Sequence, residues 1–130
     1  MRPIQNVLLV DDDVNIRTIA EMSLGGLTSW QVRLAASAAE ALDLIKAEMP
    51  DLILLDMMMP DTDGVTFYKD LQSTYGSECP PVIFMTAKVQ LHEVEKYKTL
   101  GACGVIMKPF DPMTLPNEIT QLAESYSAKS

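Results

Sequence analysis

DLILLDMMMPDTDG, residues 51–64, decides how the chain is read. It opens with Leu52-Ile53-Leu54-Leu55, four apolar residues in succession. A short unbroken apolar run between polar neighbours fits a strand buried on both faces, the character of parallel sheets covered by helices. The run ends on a carboxylate, Asp56. Met57-Met58-Met59 follow, then Pro60-Asp61-Thr62-Asp63-Gly64, whose composition is that of loop and turn. A charged residue at the carboxyl end of a buried parallel strand lies where open α/β sheets place their ligands. Asp56 is therefore the first candidate for chemistry. The plainer reading is that it caps the next segment.

Outward from this stretch the same pattern recurs. Toward the amino terminus, Asn6-Val7-Leu8-Leu9-Val10 is a second buried run, and it ends in Asp11-Asp12-Asp13. Ile16, Ile19, Ala20, Leu24 and Leu27 then recur at helical spacing, with Gly25-Gly26 as the expected stop. Residues 30–36 read as a strand nearer the sheet edge, because Gln31 and Arg33 interrupt its apolar character. Ser37 is the expected cap of a helix that turns Ala38, Ala41, Leu42, Ile45 and Met49 inward and ends at Pro50. Toward the carboxyl terminus, Phe67, Leu71 and Tyr75 mark a third helix closed by Gly76. Val82-Ile83-Phe84-Met85 is a fourth strand ending on Thr86-Ala87-Lys88. A weaker helix over 91–100 stops at Gly101, and Gly104-Val105-Ile106-Met107 is a fifth strand ending on Lys108-Pro109-Phe110. Leu115, Ile119, Leu122 and Tyr126 mark the last helix. It begins either at Pro112 after an Asp111 cap or, because Pro116 lacks an amide hydrogen, near Thr114. The last few residues, 127–130, read as a frayed tail.

Five strands thus alternate with five helices in one α/β domain spanning residues 1–130. Such alternation implies a parallel sheet with helices on both faces. All strand ends then lie along one edge, and Asp11, Asp12, Asp56, Thr86 and Lys108 converge there.

Composition narrows the function classes. The formal net charge is −8 with no Lys/Arg cluster, which argues against nucleic acid and against anionic membrane as partners. No apolar run approaches the roughly 18 residues of a membrane span, and no signal-peptide pattern follows Met1. A cytoplasmic location is expected. One histidine, His92, and two cysteines without C-x-x-C spacing exclude a Cys/His zinc site by count. Cys79 and Cys103 read as free thiols, Cys103 as core filler, His92 as solvated, and Trp30 as packing at the sheet edge.

Three carboxylates at one point repel one another unless a cation lies among them. A hard divalent ion with oxygen ligands suits them, and magnesium fits, since it uses few protein carboxylates and keeps several waters. A cation with a lysine ammonium opposite is a site for a dianionic phosphoryl group. A carboxylate there can act as the nucleophile, giving an aspartyl phosphate.

The chain resembles a receiver domain of a two-component response regulator, similar to the stand-alone chemotaxis regulator. The resemblance runs essentially end to end. It rests on VLLVDDD (residues 7–13), on D-x-x-M-P-x-x-D-G at 56–64, on Met85-Thr86-Ala87 and on Lys108-Pro109-Phe110. It implies a flavodoxin-like doubly wound sheet of strand order 2-1-3-4-5. It implies Asp56 as phospho-acceptor, Asp12 as direct magnesium ligand, Asp11 as a ligand acting through water and the backbone carbonyl of Met58 as another. It implies Lys108 as the phosphoryl contact, joined to Pro109 by a cis bond, and Thr86 as the hydroxyl that moves to the phosphoryl group. The phosphoryl donor it implies is a histidine kinase or a histidine phosphotransfer protein. The signal passes to a downstream protein or a fused output domain, and no external substrate is turned over. The last helix closes the chain, so either a stand-alone regulator or a piece of a larger protein is expected.

Departures qualify the resemblance. Val105 stands three residues before Lys108, where the family carries Tyr or Phe. Valine has no ring to couple to Thr86, so the signal is expected to pass through the loop and helix after Thr86. Met58 and Lys88 sit near the phosphoryl site, either tuning the acyl phosphate or merely solvated. Asp13 is either a helix cap, the preferred reading, or a further charge at the rim. Two other readings stay open. One is a receiver-shaped binding module inert to phosphorylation. The other is an aspartate-nucleophile phosphatase, because Asp61-Thr62-Asp63-Gly64-Val65-Thr66 mimics the D-x-D-G-[VT]-T signature of haloacid-dehalogenase-like enzymes. Against the latter, Pro60 precedes Asp61 and the strand ends five residues earlier.

Overall fold

The apolar runs form strands, and a sheet with two covered faces buries every side chain of such a run. The computed structural model describes residues 3–87 and 91–129, with side chains for the same residues except 91–93 and 127–129. Lys88 and the side chain of His92 lie outside the described residues. The elements are β1 (Asn6–Val10), α1 (Val14–Leu27), β2 (Gln31–Ala35), α2 (Ala38–Ala47), β3 (Leu52–Asp56), α3 (Gly64–Tyr75), β4 (Val82–Thr86), α4 (Leu91–Thr99), β5 (Gly104–Met107) and α5 (Leu115–Lys129). A short 3-10 turn, Gly76–Glu78, follows α3. The strands form one parallel sheet in the order β2-β1-β3-β4-β5, the order the resemblance implies.

Alternate residues of each central strand feed opposite layers. Val7, Leu9, Leu52, Leu54, Ile83, Met85 and Ile106 pack with Ala20 and Leu24 of α1 and Leu115, Ile119 and Ala123 of α5. Leu8, Val10, Ile53, Leu55, Val82 and Phe84 pack with Ala41 and Ile45 of α2 and Phe67 and Leu71 of α3. β1 and β3 are buried along their whole length, whereas β2 is only part-buried, as its Gln31 and Arg33 suggest. Arg33 spends its guanidinium on the end of α2, donating to the carbonyls of Leu44 at 2.7 Å and Glu48 at 2.6 Å. A charged residue thus fits a sheet by capping the carboxyl end of the helix packed against it. Trp30, half-buried, packs at the end of β2 against the α1/α5 layer.

Several boundaries differ from the sequence reading. α1 runs through Gly25-Gly26 and ends at Leu27, where the Thr28 amide and hydroxyl both donate to Leu24 O. A Cβ at either glycine would meet nothing within 4 Å, so both sit on an open face and the helix passes them. Ile19 and Leu27 point outward, and the inward face uses Ala20, Ser23 and Leu24. The buried Ser23 hydroxyl donates to the carbonyl of Pro112, tying α1 to the segment before α5. α5 begins at Leu115, with Thr114 and Leu115 amides both donating to Asp111 O. It extends through residues 127–129, where the sequence suggested fraying. Among the described residues, no helix is long and apolar enough to cross a membrane.

Candidate functional site

Strand register builds the site. Val10 pairs with Leu55, Asp56 with Met85 and Thr86 with Met107, so β1, β3, β4 and β5 end side by side. Asp11 continues β1 by donating its amide to Ala35 O at 3.0 Å, and Lys108 continues β5 by donating to Thr86 O at 2.8 Å. Lys108 Nζ then lies 2.9 Å from Asp56 Oδ1 and 3.1 Å from Asp11 Oδ2. The other oxygen of Asp11 accepts the Asp13 amide at 2.9 Å. Asp11 and Asp56 are buried and Asp12 is exposed, and one carboxylate oxygen from each lies within 4.8 Å of the others.

Burial pushes the Asp56 carboxyl above its ordinary value. The hydrogen bonds from Lys108 and from the Met58 amide work the other way, and the charge of Asp11 adds to the rise. For Lys108, burial disfavours the ammonium, yet the bonds to Asp56 and Asp11 outweigh it and raise its pKa. Lys108 therefore stays charged at neutral pH. One ammonium faces two buried carboxylates, which leaves the cluster short of positive charge. The donor set is all oxygen, and exposed Asp12 leaves water access, so these residues fit a hard divalent cation.

The remaining expected residues fall around this cluster. Thr86 is the part-buried last residue of β4. Met58 has an exposed side chain, and its backbone pairs with Asp63 in an isolated antiparallel bridge. Asp13 is the cap of α1, its carboxylate accepting the Asn15 amide at 2.8 Å and the Ile16 amide at 3.4 Å. The Lys108–Pro109 bond is cis. Val105 packs in the layer that holds Phe84 and Tyr97. Asp63 caps α3 by accepting the Thr66 amide at 2.8 Å.

Asp61, the nucleophile a dehalogenase-like reading would require, is not in the acidic cluster. Its carboxylate accepts the amides of Ala38 at 3.1 Å and Ala39 at 3.0 Å, and these bonds hold its pKa below the ordinary value. That link escaped sequence reading, because its donors are backbone groups on another element. So did Arg17, whose Nη1 donates to Asp11 O at 2.8 Å from the first turns of α1. Gly64 shows why a glycine ends the motif: a Cβ there would lie 2.6 Å from Asp56 O and 3.0 Å from Met57 Cα.

The fold and site define a class: an α/β domain that gathers acids, a hydroxyl and a lysine at the carboxyl edge of one parallel sheet. The response regulator receiver domain model matches residues 7–120. Response regulator Rre1 of Synechocystis is 33% identical over 126 residues, covering 96% of this chain and 54% of that protein. Sporulation initiation phosphotransferase F of Bacillus subtilis is 36% identical over 107 residues, 82% of this chain and 84% of that protein. The chain spans about half the length of several curated relatives it matches, as with the 54% of Rre1. Among solved structures, the chemotaxis response regulator CheY4 of Vibrio cholerae superposes with a TM-score of 0.80 at 30% identity, covering 92% of this chain and 99% of that one. The chain belongs to the response regulator receiver domain family and is a signalling domain of the two-component type.

Proposed function

We propose that this domain accepts a phosphoryl group on Asp56 from a phosphohistidine of a histidine kinase or histidine phosphotransfer protein, in a magnesium-dependent reaction, and so switches a protein-interaction surface. The observation that carries this reading is the ammonium of Lys108 held between Asp56 and Asp11, 2.9 and 3.1 Å away. Bound magnesium, held by Asp11, Asp12, Asp56 and the Met58 carbonyl, would supply charge neutralisation for the phosphoryl oxygens.

The chain's own groups do the rest. A carboxylate oxygen of Asp56 attacks phosphorus as the bond to the histidine nitrogen breaks, and that nitrogen leaves as neutral imidazole once protonated. The Lys108 ammonium contacts a phosphoryl oxygen, and burial of Asp56 limits competing water. Thr86, on the neighbouring strand end, is the hydroxyl that closes on the phosphoryl group. The domain catalyses its own phosphorylation and dephosphorylation without turning over an external substrate. It works in the cytoplasm, and a downstream protein or fused output domain reads it.

The test is incubation with acetyl phosphate and magnesium, read by intact mass. One phosphoryl increment that disappears with a chelator and in Asp56→Asn supports the reading. An unmodified wild-type mass under the same conditions would leave the receiver-shaped but inert module.

A further inference from the structure

The segment between β3 and α3, residues 57–63, is fixed at its roots. The Met57 amide donates to Met85 O at 3.1 Å, the Gly64 amide donates to Met57 O at 2.8 Å, and Met58 bridges to Asp63. Between these roots the chain arches through Met59, Pro60, Asp61 and Thr62. Roots alone leave such an arch with backbone freedom, and ordering it costs conformational entropy.

Asp61 removes that freedom from an unexpected side. Both of its carboxylate oxygens are taken by the first two amides of α2, Ala38 and Ala39, at 3.1 and 3.0 Å. The third amide, that of Glu40, goes to Ser37 Oγ at 3.2 Å. The start of α2 therefore has three acceptors for its three free amides, two of them from a residue 22–23 positions away. A carboxylate is also the favoured occupant of a helix amino terminus. The arch is thus fastened to a helix that Arg33 holds at its other end. Met58, bridged to Asp63, lies at the foot of this arch.

From this geometry we infer that Asp61 is a positioning residue for the cation site: by tying the arch to α2 it sets where the backbone carbonyl of Met58 points. The inference rests on the magnesium reading above. Asp61 touches neither the phosphoryl group nor the cation, and it acts only through the backbone of residues 58–61. Loss of the tie leaves Asp11, Asp12 and Asp56 in place but blurs the one backbone ligand, which lies at the foot of the arch.

Magnesium titration followed by calorimetry, without any phosphoryl donor, tests it. Asp61→Ala and Asp61→Asn lose the same charge, but Asn keeps an acceptor for one of the two amides. The alanine variant should bind magnesium about tenfold more weakly than the asparagine variant, the lower end of what supporting residues contribute to metal affinity. Ser37→Ala removes the other cap of α2 and leaves the tie intact. It should lower the unfolding temperature while keeping wild-type magnesium affinity. Equal affinities for the two Asp61 variants, or an equal loss in Ser37→Ala, would overturn the assignment. Wild-type protein that binds no magnesium would overturn the reading of the site itself.

Discussion

Lys108 Nζ donates to Asp56 Oδ1 at 2.9 Å across 52 positions of sequence, and the same ammonium also serves Asp11 Oδ2 at 3.1 Å. One cation is therefore shared between two carboxylates that are almost wholly buried. The arrangement is stable enough to form and under-neutralised enough to attract a further cation.

The pKa of Asp56 is raised by burial, so the folded state holds the Asp56 proton more tightly than the unfolded chain does. For a carboxyl group raised in the fold, stability falls as pH climbs from the ordinary value through the raised one, and it stays lower at neutral pH. Asp56→Asn should therefore raise the unfolding free energy at neutral pH, since Lys108 keeps Asp11 as its partner. Magnesium should stabilise the wild type increasingly as its free concentration exceeds the dissociation constant, and narrow that gap. Urea unfolding with and without magnesium measures both effects. A destabilised Asp56→Asn would show that the Lys108–Asp56 pair dominates the crowding.

Gly64 should tolerate no side chain. An alanine Cβ would fall 2.6 Å from the backbone oxygen of Asp56, where only backbone movement makes room. Gly64→Ala should cost about 1–3 kcal/mol in denaturant unfolding, as overpacked sites do, and should slow phosphorylation by acetyl phosphate. A variant of wild-type stability and rate would contradict the close approach.

Alkaline pH should unfold the protein partly through Cys103. Burial pushes its thiol from 9.0 up to about 11, and the phenol of Tyr68 is raised for the same reason. Both stay protonated in the fold while the unfolded chain ionises first. Their contribution is complete below the unfolded values and is lost as pH rises through the folded ones. Unfolding free energy should fall between about pH 9 and pH 11, and Cys103→Ala should flatten that fall. At about pH 8, Cys103 should react with a thiol reagent only on unfolding, because thiolate is the reactive form.

Most of this site was legible in sequence because strand ends are marked by an abrupt change of chemistry. Leu52-Ile53-Leu54-Leu55 before Asp56, and Val7-Leu8-Leu9-Val10 before Asp11, locate both acids on one sheet edge without further information. Cys103, in Gly101-Ala102-Cys103-Gly104, was readable as core filler and is buried. What failed was what tertiary contact decides. Gly25-Gly26 looked like a helix stop, but an exposed glycine pair only weakens a helix, and Thr28 sets the end by bonding back to Leu24. Ser23 takes a core position because Pro112 O accepts its hydroxyl, and apolar periodicity cannot find a polar residue there. Asp61 and Arg17 act on backbone groups of distant segments, which carry no side-chain signature at all.

Val105 should shape how a phosphorylated state is read. It pairs with Phe84 across β4 and β5, and the aromatic ring on the helical side comes instead from Tyr97 of α4, 5.2 Å from the Phe84 ring. With no ring at 105 to turn inward, the response should concentrate in the loop and helix after Thr86. A beryllofluoride adduct compared with the free protein by amide NMR should show its shifts beyond the site itself in residues 86–100. Unchanged amides there would contradict this route.

The most direct test of the account is to locate the phosphoryl group. Acetyl phosphate and magnesium, followed by borohydride reduction, convert an aspartyl phosphate to homoserine that peptide mass spectrometry can place. Phosphorylation of Asp56 yields homoserine at position 56 and at no other aspartate. Conversion at Asp61 or Asp12 with Asp56 untouched would contradict it.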